Sequence, residues 1–152
     1  MSDDVNVVIK TTIRTMLPFI QLYGFYVMTG TEGAGGGFQG GVILAASFIL
    51  YAITFGAEKG REKAPESWNT AFKSFGLYIY AGVGILTILY SLGSAEFLNY
   101  SATFLSLFVP HTVARGILIA DVIEVGIGIT VAASFTSLFF DLVWKGDEDG
   151  RD

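Results

Sequence analysis

Long runs without charge decide what this chain can become. Leu17 to Gly30, Phe38 to Ala57 and Ser74 to Gly93 contain no aspartate, glutamate, lysine or arginine. The last two each have the length that a helix needs to cross a hydrocarbon core of about 30 Å. Within lipid the backbone amides of such a run must find their partners inside the segment, which a helix achieves. The first run reaches full length if it starts near Val8, because Lys10 and Arg14 can reach the headgroups from the first turns while their methylenes stay in lipid. A fourth run, Gly116 to Trp144, is also long enough, yet Asp121 and Glu124 lie inside it. The pattern predicts an all-α integral membrane protein of about four transmembrane helices, near 8–30, 38–57, 74–93 and 116–140. These form a single membrane domain over 1–144, followed by an acidic tail over 145–152.

A composition of 52% hydrophobic and 15% charged residues excludes an ordinary soluble domain. There is no cysteine, so disulfides, iron–sulfur ligation and thiolate zinc sites are out, and His111 is the single histidine. No metal site and no cofactor are expected, and any redox chemistry belongs to a partner. Asp3 and Asp4 precede the basic residues and no small-x-small cleavage site follows a short apolar core, so the first helix is expected to be retained.

With four spans, Lys10, Arg14, Lys59, Arg61, Lys63, Lys73, Lys145 and Arg151 fall on one side and Arg115 alone on the other. The positive-inside rule then places both termini in the cytoplasm. The net charge of −5 owes much to Asp147, Glu148, Asp149 and Asp152 in the tail, where solvation suffices. Basic residues of the EKGREK loop alternate with glutamate, so no nucleic-acid footprint is present.

Residues 33–41 read GAGGGFQGG. A phosphate loop needs a lysine and a hydroxyl after its glycines, and a dinucleotide loop needs a preceding strand; neither is found here. Gly33, Gly37 and Gly41 are four apart, as are Gly36 and Gly40, and this small-xxx-small register lets helix backbones approach closely in a membrane. Irregular backbone at the start of that helix is tolerated if it is buried in protein.

The stretch TGTEGAGGGFQGGV, Thr29 to Val42, resembles the signature of the B-type subunits (MnhB family) of Mrp multisubunit sodium/proton antiporters. DVIEVGIGITVA, Asp121 to Ala132, resembles the last helix of the same family, and the resemblance extends from about Thr11 to Phe140. Thr31 stands where the family commonly has histidine and Ala34 where it commonly has proline, so a proton relay through that histidine does not carry over. The resemblance implies a non-catalytic subunit in the prokaryotic cell membrane. Its partners would be other Mrp-type membrane subunits, and Na+ and H+ would be the transported ions. Such subunits also occur in complex I-like assemblies beside hydrogenase-like or sulfur-reducing subunits.

Asp121 and Glu124 are three apart on one helix. Counted from Gly116, Glu124 lies about 12 Å along the axis, and an acid at that depth is a functional candidate because a charge at a helix centre costs about 2.5–3.5 kcal/mol on insertion scales. Ala120, Glu124, Gly128, Ala132 and Thr136 form an i+4 row of small or polar residues that points Glu124 into a helix interface. Asp121 and Glu124 are the candidate ion-path acids, with Thr130 and Thr136 offering oxygens to a hard cation. The alternative is that both acids only fix subunit register, or that Asp121 is solvated.

Lys73, at the start of the third span, is a candidate for conduction and otherwise an ordinary interfacial lysine. His111 reads as part of an external connection and Arg115 as an interfacial anchor. Pro18 and Gln21 mark a kink with a polar contact in the first span. The apolar but interrupted segment 95–110 fits a helix lying along the outer surface or buried against a partner. Two rival functions follow from other classes: a self-contained homodimeric proton-coupled transporter, and a purely structural spacer.

Overall fold

The computed structural model describes residues 3–29, 35–91, 96–101 and 104–143, and within them the secondary structure is helical. Helix α1 covers Asp3–Met28, α2 Gly37–Phe55, α3 Ala57–Lys63 and α4 Glu66–Tyr90. A 3-10 turn at Phe104–Leu107 precedes α5, His111–Ile117, which passes through a π-helical segment, Leu118–Ile123, into α6, Glu124–Val143.

Three stretches are long and apolar enough to cross a membrane: Gly37–Phe55, Glu66–Tyr90 and His111–Val143. Helix α1 matches them in length with 26 residues, but Lys10, Arg14, Gln21 and several threonines leave it less apolar.

Three helices start several residues earlier than the sequence expectation: α1 at Asp3 instead of near Val8, and two others because of a proline. Pro65, at φ −61°, opens α4 eight residues before the expected start at 74, and its carbonyl receives the N–H groups of Trp68 and Asn69. Proline suits a helix start because the amide it lacks has no intrahelical partner there, and Glu66 complements the dipole in the first turn. The connection expected between the spans 38–57 and 74–93 is therefore mostly helix, and Lys73 lies two turns inside α4. Pro110 likewise opens the last helix at His111, not at Gly116, with Val113 and Ala114 bonded to its carbonyl. His111 is thus a helix residue instead of a connection residue. The segment before it forms a turn and the short 3-10 helix among its described residues, not a surface helix.

Small residues set how the helices meet. A Cβ added at Gly41 would fall 2.5 Å from the Gly128 carbonyl oxygen, and one at Gly40 would fall 2.6 Å from that of Gly24. Gly76 meets Gly126 and Thr130 in the same manner. These crossings order the helices in a row, α1, α2, α6, α4, with α6 between α2 and α4. Gly24 against Gly40 and Gln21 against Ser47 make α1 and α2 antiparallel. Gly37 against Glu124 and Gly41 against Gly128 make α2 and α6 parallel. Gly76 against Gly126 and Lys73 against Ser137 make α4 and α6 antiparallel. The start of α1 and the end of α6 consequently lie on the same side of the row.

Burial follows the packing expected where lipid, not water, surrounds a protein. The fully buried side chains include Ser47, Thr87 and Thr136, while Leu22, Tyr26, Trp68 and Tyr78 are exposed. Close backbone approach and polar contacts, such as Gln21 Nε2 donating to Ser47 Oγ at 3.3 Å, replace a large apolar core. One apolar cluster, Ala52, Ala64 and Phe140, closes the α3 end, with the Arg61 guanidinium 5.4 Å from the Phe140 ring centroid.

Candidate functional site

The π segment delivers Glu124 to α2. Single π turns inside α-helices shift the side-chain register and recur at functional sites. Here the shift leaves Asp121 exposed and turns Glu124, half-buried, toward the first residue of α2. The Glu124 carboxylate accepts a hydrogen bond from the Gly37 N–H. Gly36, at the N-cap, offers no side-chain cap. A helix start leaves several N–H groups without partners and carries partial positive charge, so a carboxylate from a neighbouring helix satisfies both.

Glycine is required at two places here for different reasons. Gly35 adopts φ +121°, a conformation that L side chains rarely take. A Cβ at Gly37 would collide with the backbone of Glu124 itself.

Helix α2 has 19 residues, about 28 Å at 1.5 Å per residue. Glu124 stands level with the first residue of α2, thirteen residues into the apolar stretch His111–Val143.

The connection between α4 and α5 folds back over the last turns of α4. The Phe97 ring lies on Gly84, the Leu98 N–H donates to Thr87 Oγ1 at 2.9 Å, and His111 Nδ1 is 2.9 Å from the Ser101 carbonyl oxygen. Leu98 has φ 62°. Glu96, Tyr100 and Arg115 line a shallow pocket in this connection. Burial, with the charges of Tyr80 and Glu124 adding to it, raises the Tyr100 hydroxyl above its ordinary value of 10.0.

The other expected residues separate. Thr130 Oγ1 donates to the Gly126 carbonyl at 3.0 Å and faces Gly76 of α4, away from the Glu124 carboxylate. Thr136 is buried, one residue before Ser137. Lys73 does not approach Glu124; its Nζ lies 3.2 Å from Glu66 Oε1 and 3.1 Å from Ser137 Oγ. Ser137 follows Glu124 by thirteen residues, about 20 Å along α6. Sequence reasoning missed Glu66, Thr70 and Ser137. Glu66, Thr70 and Lys73 at i, i+4 and i+7 were a usable signal once Pro65 is taken as the helix start.

Of the packing glycines, Gly36, Gly37, Gly40, Gly41 and Gly128 all lie at helix contacts. Gly33 and the 145–152 tail lie outside the described residues. Among the described residues, no group of three or more histidine, cysteine, aspartate or glutamate side chains could hold a metal ion.

Comparison with known proteins adds an independent line. Residues 8–137 match the family described as a domain related to the MnhB subunit of Na+/H+ antiporter. Proteins of Staphylococcus aureus strains Newman, JH1 and COL that carry the provisional name antiporter subunit mnhB2 are each 36% identical over 61 residues. That stretch is 40% of this chain and 43% of those relatives, so the match spans less than half of their length.

Proposed function

The chain belongs to the MnhB family, and from that premise we propose that it is a non-catalytic, membrane-embedded subunit of a Na+/H+ antiporter that helps to form the cation or proton path. The observation that carries this reading is the Glu124 carboxylate docked on the Gly37 N–H at the start of α2. A carboxylate oxygen accepts that bond beside the partial positive charge of the α2 start. Gaining a proton removes one acceptor and the charge, and a passing Na+ competes for the same oxygens. Either event alters how the start of α2 docks on α6, which couples ion occupancy to helix contact at that crossing.

In this reading α1 crosses the membrane together with the three more apolar stretches. Arg14, 5.4 Å from the Phe55 ring centroid, Arg61 and Lys73 gather at the end where α1 starts, which the positive-inside rule assigns to the cytoplasm. Both termini are then cytoplasmic, in the cell membrane of a prokaryote. The exposed aromatic and aliphatic faces of α1 and α4 meet lipid and other Mrp-type subunits. Those subunits belong either to a stand-alone antiporter or to a complex I-like, redox-driven assembly with hydrogenase-like or sulfur-reducing modules. A structural spacer is the second reading, because a static cap on α2 would make the same Glu124 to Gly37 bond.

The test is to tag the full chain, extract it gently from native membranes and identify co-purifying proteins by mass spectrometry. Large antiporter-like subunits are expected. A lone homodimer would overturn the subunit reading in favour of a self-contained transporter.

A further inference from the structure

At the end of the α4–α6 pair opposite Glu124, a second polar group is assembled from three helices. Glu66, Thr70 and Lys73 share one face of α4, Ser137 comes from α6, and Arg61 comes from α3. Ser137, only 4% exposed, donates to Glu66 with its Oγ 2.9 Å from both carboxylate oxygens. Thr70 Oγ1 lies 3.2 Å from Glu66 Oε1, as does Lys73 Nζ, which is also 3.1 Å from Ser137 Oγ. Arg61 approaches the other carboxylate oxygen at 3.8 Å.

Apart from the Lys73 ammonium and the more distant Arg61 guanidinium, these atoms are a carboxylate and two hydroxyl oxygens clustered around Glu66, hard donors of the kind that replace water around a small metal cation. The ammonium sits among them. It is a compact charge on a flexible four-carbon stem, and at 31% side-chain exposure it has solvent to swing into. Ser137 is held in the buried contact and cannot leave with it.

We propose that Glu66, Thr70 and Ser137 form a binding site for a small monovalent cation in which Lys73 is a tethered competitor. An arriving Na+ displaces the ammonium toward solvent, and the ammonium returns when the ion departs. Glu66 keeps a counter-charge in both states, so the exchange avoids the cost of leaving a carboxylate unpaired between helices. The choice of Na+ rests on the antiporter reading; the site itself rests on the oxygen geometry.

The test follows the reactivity of Lys73 in membranes carrying the full chain in its native assembly. An amine-acetylating reagent is applied in NaCl or in choline chloride of equal ionic strength, and modification of Lys73 is compared by mass spectrometry with that of exposed Lys59. The expected result is a several-fold faster Lys73 reaction in Na+, with Lys59 unchanged. Glu66→Gln is expected to leave Lys73 equally fast in both salts. Ser137→Ala is expected to reduce the Na+ effect, and it serves as the second variant if Glu66→Gln fails to assemble. Equal Lys73 rates in the two salts for the unsubstituted chain would overturn the proposal and leave a permanent clamp. This readout does not use ion exchange, so failure of the antiporter reading and failure of the site are separately visible.

Discussion

The Gly37 N–H donates to the Glu124 carboxylate across the α2–α6 contact, joining the start of one helix to the π-shifted start of another. That bond fixes where the acid stands and makes the glycines around it a steric necessity.

Gly41→Ala is expected to lower the thermal stability of the extracted chain, because its Cβ would lie 2.5 Å from the Gly128 carbonyl oxygen and 2.8 Å from Val131 Cβ. Backbone on one side and a β-branched residue on the other leave little room to adjust, and overpacking of this kind costs about 1–3 kcal/mol. Gly82→Ala meets nothing within 4 Å and is expected to leave stability unchanged or slightly raised. Melting curves of the two variants side by side check both.

Thr87→Val removes the acceptor of the Leu98 N–H while keeping the shape of the side chain. Hydrogen exchange at Leu98 is expected to speed up while the amides in the interior of α4 stay protected, since one lost bond costs about 1 kcal/mol locally. Unchanged protection at Leu98 would show that the connection is held by other contacts.

Tyr100 predicts an alkaline limb. Its hydroxyl is raised above 10.0, so the native state holds the proton more tightly than the unfolded chain does. The stabilisation is present below that value and fades as pH rises through the higher native value. Tyr100→Phe is expected to flatten stability against pH above about 10, measured by melting at stepped pH, because an unperturbed phenol titrates there.

Much of the fold was legible because its cause was local. The uncharged runs at 38–57 and 74–93 match α2 and most of α4, and the four-residue glycine spacing foreshadowed the Gly41 to Gly128 crossing. Pro65 and Pro110 lie outside the uncharged runs, yet each opens a helix. Hydropathy fades near a membrane surface, so the polar first turns of α4 and α5 looked like loop. The position of Glu124 at a helix contact was legible but its partner was not, since nothing in a linear pattern says that Gly37, 87 residues away, offers its amide there. Glu66 and Ser137 stayed hidden for the same reason. A serine in an apolar run becomes informative only when α4 is known to lie against it.

The most direct measurement is sodium/proton exchange in everted vesicles whose antiporter carries Glu124→Gln, with assembly of the complex verified in the same membranes. Glutamine keeps the size and can still accept the Gly37 N–H through its carbonyl oxygen, but it carries no charge and takes up no proton at working pH. Exchange is expected to fall sharply at normal assembly levels, and Glu124→Asp is expected to retain part of it. Full exchange by an assembled Glu124→Gln complex would contradict a role for this carboxylate in the path and leave the chain as a structural subunit.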